Sequence, residues 1–169
     1  MKRIGIFYGS STGDTERIAL LVQKKIGSDK VIMHDIIESK AEDLTKYSFL
    51  ILGISTWGIG KIQDDWEMFL PNIKNIDFAG KKIALFGLGD QESYPDTFAD
   101  ALGILYDTIK SLGCSIIGEW PVDGYEFIHS KAERNGKFVG LVLDERNQPE
   151  LTEKRVNSWL LSLGLPISV

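Results

Sequence analysis

The chain has 169 residues, 43% of them hydrophobic and 25% charged, which suits one globular domain over 1–169 with room for a substantial core. Its net charge of −5 argues against nucleic acid, which asks for a basic face, and is compatible with a basic protein partner. Cys114 stands alone, so neither an intramolecular disulfide nor a cysteine-based metal or iron–sulfur site can form.

Residues 3–8 are the first apolar run and predict a buried strand. Residues 14–26 predict a helix, with Ile18, Leu21, Val22 and Ile26 on one face. Ser10, Ser11, Thr12, Gly13, Asp14 and Thr15 fall between the strand and the helix N-terminus. Unpaired N–H groups and the positive end of the helix dipole make that junction an anion site. The hydroxyls of Ser10, Ser11, Thr12 and Thr15 can wrap a phosphate without a cation. A triphosphate loop would need Gly-Lys-Ser/Thr, whereas Asp14-Thr15 follows Gly13 here. A dinucleotide fingerprint needs three spaced glycines, and the loop has Gly9 and Gly13 only. One phosphomonoester fits better; an ordinary Ser/Thr-rich turn with a capped helix remains the alternative at this point.

Further strands are predicted over 30–33, 49–54, 82–88 and 114–118, and further helices over 64–70, 97–112 and 152–163. Cys114 begins a strand and is expected to pack in the core. Residues 121–140 break the rhythm: they are polar, turn-rich and aromatic at Tyr125, Phe127 and Phe138, and lead back to apolar Leu141-Val142-Leu143. This predicts an insertion inside the last strand, with a role in packing or in binding. The alternation means βαβ crossovers and a doubly wound parallel sheet covered by helices on both faces.

In such sheets ligands sit beyond the C-terminal strand ends. Three loops fall there: the hydroxyl loop, Ser55-Thr56-Trp57-Gly58-Ile59-Gly60, and Gly87-Leu88-Gly89-Asp90 running on to Tyr94. Trp57 and Tyr94 could wall a slot for a flat heterocycle, with about 1 kcal/mol of stacking per ring beyond burial. The glycines let the backbone approach ring edges. His34 and His129 are expected to have surface or core roles, and no metal site or catalytic residue is predicted. No leader-like or membrane-length apolar run is visible, so a cytoplasmic location is expected.

Together these residues resemble the flavodoxins, specifically the long-chain group, over the whole length. Ser10, Thr12, Gly13 and Thr15 match the phosphate loop of that family. Thr56-Trp57 matches the loop whose tryptophan covers one flavin face, and the loop leading to Tyr94 matches the one whose tyrosine covers the other. The insertion, with Asp123–Phe127 and Asn135–Leu141, looks like the one that defines the long-chain group. The resemblance implies strand order 2-1-3-4-5 with the last of five strands interrupted, and non-covalent FMN as cofactor. Two departures stand out. Ser55 occupies a position that is often proline, which should loosen the loop. Asp14 stands where relatives often carry lysine or asparagine, which should weaken FMN binding if its side chain turns inward.

The resemblance further implies a low-potential one-electron carrier, with no catalytic residues of its own. Asp64, Asp65, Glu67, Asp90, Glu92, Asp96 and Asp100 crowd the expected slot, opposed mainly by Lys61, and negative surroundings disfavour an anionic reduced flavin. In relatives a peptide next to the tryptophan turns its carbonyl to flavin N5, a role that falls to Gly58. Two other classes share the fold. An NAD(P)H-dependent quinone or flavin reductase would need a second pocket above the flavin. A phospho-receiver domain would need an acidic cluster where the first strand instead ends in Tyr8-Gly9-Ser10. The implied partners are redox proteins with basic docking faces: ferredoxin-NADP reductase-type flavoproteins, pyruvate:flavodoxin oxidoreductase, radical- or cobalamin-enzyme activation systems, or nitrogenase in diazotrophs. No nucleic-acid or membrane partner is expected, and the carrier should be a monomer. The insertion, being remote in sequence from the three loops, is expected to be dispensable for FMN binding.

Overall fold

The computed structural model describes residues 3–168. Its main sheet is built from β1 (Ile4–Tyr8), β2 (Val31–Asp35), β3 (Phe49–Trp57), the short β4 (Lys61–Ile62), β5 (Lys82–Leu88), β6 (Ser115–Ile117) and β10 (Leu141–Leu143). The parallel order is β2-β1-β3-β5, with β6 and β10 both on the outer side of β5. β6 pairs with residues 82–84 and β10 with 86–88. The last strand position is therefore filled twice, by two short strands that flank the insertion. β4 has no counterpart in the apolar pattern of the sequence; it folds back antiparallel on the end of β3.

The central strands are apolar without alternation because helices cover both faces of the sheet. α1 (Asp14–Ile26) and α4 (Thr152–Ser162) bury Ile18, Val22, Val156 and Trp159 on one face. α2 (Asp64–Ile73) and α3 (Asp100–Ile109) bury Trp66, Phe69, Leu102 and Leu105 on the other. Between β2 and β3 two 3-10 turns, Ile36–Glu38 and Ala41–Lys46, stand in for a helix. Gly53 is required by packing: a Cβ there would lie 2.1 Å from Cζ of the buried Phe86.

α3 begins three residues later than the sequence pattern suggests, after Ala99, whose φ is 55°. Phe98 N–H donates to the His129 carbonyl at 3.2 Å instead of starting a helical turn. The insertion has its own small antiparallel sheet, ordered β7-β9-β8, from Trp120–Pro121, Lys137–Phe138 and Glu133–Arg134. Its aromatic residues are core residues. Phe138 is fully buried, packed on Phe98, Tyr125 and Phe127 with ring centroids 5.2–6.1 Å apart. Burial pushes the Tyr125 phenol up to about 12; its hydroxyl accepts from Trp120 Nε1 and donates to the Val142 carbonyl.

Candidate functional site

Register brings the loops together. Tyr8 pairs with Gly53, Ser55 with Leu88, and Leu88 with Leu143, so the chain leaves β1, β3, β5 and β10 at one end of the sheet. A cleft of about 260 Å³ opens there. Ser10, Ser11, Thr12, Asp14, Thr15, Ser55, Thr56, Trp57, Gly58, Leu88, Gly89, Asp90 and Tyr94 line it. The remaining residues named from the sequence do not. Gly13 is the N-cap of α1, Ile59 is 84% exposed at a loop tip, Gly60 faces Thr97 and Asp100, and Gly87 lies against Leu102.

The hydroxyl loop suits an anion. Gly13 has φ 94° and no side chain caps α1, so the N–H groups of the first helical turn have no acceptor from a cap. Gly13 N–H donates to Ser10 Oγ at 3.0 Å, which curls the loop. Gln63, 1% exposed, sends its Nε2 to Ser11 Oγ (3.1 Å) and Asp65 Oδ2 (2.8 Å), while its Oε1 accepts from Trp66 N–H at the start of α2. One side chain thus fixes the hydroxyl loop to α2.

Asp14 does face the cleft, but its charge is shared. Arg17 Nη1 lies 3.4 Å from Asp14 and Nη2 lies 2.6 Å from Glu145. Glu145 also accepts from the Thr152 hydroxyl. Glu145 and Arg146, which line the cleft from beyond β10, were missed by sequence reasoning. The strand-end rule would have found them had 141–143 been treated as a strand with its own exit loop.

The same lining carries two rings, Trp57 37% and Tyr94 38% exposed. Such partly covered aromatics, one at the end of β3 and one on a loop, leave apolar faces for a flat ligand. Ser55, expected to loosen the tryptophan loop, makes a side-chain contact to it. It lies within β3, and its Oγ accepts from Trp57 Nε1 at 2.9 Å, a bond that proline could not make. Thr56 Oγ1 accepts from Ala101 N–H at 2.9 Å and so serves the start of α3. Gly58 has φ 50° and open space around its Cα, and its carbonyl accepts from Gly60 N–H at 3.0 Å.

The expected acidic rim is smaller than the sequence suggests. Asp100 is 3% exposed and accepts from Lys131 N–H, so it belongs to the packing of the insertion. Asp90 is partly buried, which alone would raise its pKa. Hydrogen bonds from Ser93 N–H and Asn147 outweigh burial and hold it below the usual carboxylate range. Asp64, Glu67, Glu92 and Asp96 remain exposed. The insertion also does not stand apart from the site: Ile128 and His129 N–H groups both reach the Pro95 carbonyl, and Glu126 N–H reaches Gln91 Oε1.

Neither histidine lines the cleft. His34 stacks on Phe7 at 4.3 Å and bonds Tyr47, and burial lowers its pKa; His129 is exposed. Cys114 is half-buried beside the core, and burial pushes its thiol up. Among the described residues no cluster of His, Cys, Asp and Glu could hold a metal. What the cleft lining brings together is an uncapped helix start with hydroxyls, suited to one anionic group, and two partly exposed aromatic rings.

Comparison with known proteins agrees with that chemistry. A family model described as flavodoxin matches residues 6–159. The flavodoxin of Synechocystis sp. is 54% identical over 161 residues, covering 95% of each chain. Flavodoxin 1 of Escherichia coli is 51% identical over 161 residues, covering 95% of this chain and 92% of its own. The crystal structure of Fusobacterium nucleatum flavodoxin bound to flavin mononucleotide superposes with a TM-score of 0.89 at 34% identity, covering 97% of this chain and 98% of that one.

Proposed function

The chain belongs to the flavodoxin family, and from that premise we infer that it carries electrons on one non-covalently bound FMN. It is an electron-transfer protein rather than an enzyme with a substrate of its own. The observation that carries the site assignment is the pairing, in one cleft, of an uncapped helix start lined with hydroxyls and two half-covered aromatic rings.

When bound, FMN supplies the redox chemistry; the protein binds, orients and tunes it. The hydroxyls of Ser10, Ser11, Thr12 and Thr15, with the N–H groups at the start of α1, are assigned to the phosphate. That set fits a single phosphomonoester, because the hydroxyl loop itself contributes no lysine or arginine. Trp57 and Tyr94 are assigned to the two faces of the ring system. The backbone of Gly58, Gly89 and Asp90 can reach ring edges, since glycine admits close approach. The Gly58 carbonyl is free to serve a ring N–H once it leaves Gly60. Asp90 and the exposed carboxylates nearby disfavour added negative charge in the cleft, which makes the reduced carrier a stronger donor.

The partners are redox proteins. We assign them basic docking faces, on the strength of the exposed Asp64, Glu67, Glu92 and Asp96, and include reductases of the ferredoxin-NADP type, pyruvate:flavodoxin oxidoreductase and nitrogenase as candidates. No helix among the described residues is long and apolar enough to cross a membrane. We read the molecule as a cytoplasmic monomer made of one FMN-binding domain.

The test is the purified protein itself. It should be yellow, with one FMN per chain and no FAD, and should not oxidise NADPH in steady state. A colourless protein that takes up no added FMN refutes the reading, and sustained NADPH oxidation would favour a reductase.

A further inference from the structure

We propose that Asp144 is a positioning residue that acts through Gln91 and Asn147 to hold the loop between β5 and α3 in the shape that places Tyr94 at the cleft. The inference rests on the assignment of Tyr94 to one wall of the FMN site. Asp144 is fully buried and Gln91 is 4% exposed. Among the described residues no ion pair reaches the Asp144 carboxylate. A buried charge without a counter-ion is costly unless its oxygens are fully hydrogen-bonded, and here they are.

Oδ2 accepts from Gln91 N–H (3.0 Å), Gln91 Nε2 (2.7 Å) and Asn147 Nδ2 (2.9 Å). Oδ1 accepts from the N–H groups of Arg146 (3.2 Å) and Asn147 (3.0 Å). All five donors come from two loops: that of Gln91, which carries Tyr94, and the exit loop of β10, which carries Arg146. The carboxylate therefore joins two cleft-lining loops that are 53 residues apart at Gln91 and Asp144.

The connection to Tyr94 runs through Asn147 and Asp90. Asn147 Nδ2, held by Asp144, also donates to Asp90 Oδ1 at 2.8 Å. That same oxygen accepts from Ser93 N–H at 2.9 Å, and the Asp90 carbonyl accepts from Tyr94 N–H at 3.0 Å. The turn that ends in Tyr94 is thus closed on Asp90, and Asp90 is oriented from behind by Asn147. Only an acceptor-only group serves at 144. An asparagine there would aim its own NH₂ at two or three N–H donors.

The experiment is a double-mutant cycle on FMN affinity. Asn147→Ala removes the bridge to Asp90 from a half-buried position, and Asp144→Asn turns an acceptor into a donor. In the parent, Asn147→Ala should raise the FMN dissociation constant about fivefold, the equivalent of one net hydrogen bond, and Asp144→Asn about tenfold or more, since its bonds are charge-assisted. In a Tyr94→Ala background each effect should shrink to less than half of its size in the parent, because no ring remains to be placed and only the backbone contacts of Gly89 and Asp90 still depend on the loop. Effects that persist in full without Tyr94, or no effect of either Asp144→Asn or Asn147→Ala in the parent, overturn the inference. Should Asp144→Asn fail to fold, the Asn147 arm decides alone. If Tyr94→Ala itself leaves FMN affinity unchanged, the wall assignment fails and the inference falls with it, a pattern distinct from the other two.

Discussion

Gly58 permits a prediction whose size follows from the backbone alone. Its φ of 50° lies in the left-handed region, and a Cβ at that position would meet nothing within 4 Å. Gly58→Ala therefore creates no clash; the cost is the strain of an L-residue held at positive φ, about 1–2 kcal/mol. In the ligand-free protein this open loop can relax into another conformation. Taking FMN to bind beside Trp57 with Gly58 at this φ, we expect the strain to appear in affinity more than in melting temperature. We expect the FMN dissociation constant to rise about five- to thirtyfold, given 1–2 kcal/mol of strain, and more in Gly58→Val because branched residues tolerate positive φ worst. The Gly58 carbonyl now accepts from Gly60 N–H at 3.0 Å, and any turn toward a ring N–H gives up that bond. The alanine variant should accordingly also narrow the range over which its two one-electron potentials are separated. The assay is titration of the apoprotein with FMN by flavin fluorescence, with a thermal melt of the same samples. Gly53→Ala is the contrast, since its Cβ would collide with Phe86 at 2.1 Å and should lower the melting temperature strongly. Unchanged FMN affinity in both Gly58 variants, or a loss confined to the melting temperature, would refute the reasoning.

Three further outcomes are expected. Ser55→Ala removes the acceptor of the Trp57 indole N–H and should weaken FMN binding about fivefold, roughly 1 kcal/mol; Trp57→Ala should weaken it at least as much, and equal affinity in parent and both variants would take that ring out of the site. Neutralising the exposed Asp64, Glu67 and Glu92 together should slow electron transfer from a basic reductase at low salt and flatten its salt dependence, as screening over about 10 Å at 0.1 M requires; Asp65 is left intact because it holds Gln63 and, through it, Ser11. Stopped-flow rates that match the parent at low ionic strength would reduce the rim to a solvated surface. Asp107 is held down to about 2 by hydrogen bonds from Arg134, which, with help from Lys110, outweigh the cost of its partial burial. Its folded pKa lies below the ordinary 3.8, so its contribution to stability is present above about pH 4 and is lost as pH falls toward 2. Asp107→Asn should therefore melt with a flatter pH profile in that window, read from thermal unfolding.

Why some of this was legible in the chain and some was not follows from the range of the interactions. The hydroxyl loop announces itself because strand, loop and helix start are contiguous, from Ile4 to Ile26. The two rings announce themselves because each follows a predicted strand end closely in the sequence, where a large exposed ring is costly unless something covers it. Periodicity also placed α1 with its observed bounds. It failed at α3, where Phe98 carries the right apolar spacing but spends its N–H on His129 of the insertion. Asp100 looked like a surface charge for the same reason: its partner, Lys131, is 31 residues away.

The charges that matter most at the cleft are set by still longer connections. Asp14 in isolation is an acid at an anion site and argues for weak binding. In the fold, Arg17 stands between it and Glu145, 128 residues from Arg17, so the carboxylate at the proposed phosphate site is partly offset and also held in place. Gln63 and Asp144 act in the same manner, each joining loops that no local pattern relates. Residues proposed for the ligand are readable from their own neighbours in sequence, because their chemistry is that of a strand end and the loop after it. Residues that hold those loops in position become readable only once the sheet order β2-β1-β3-β5-β10 sets four distant loops side by side.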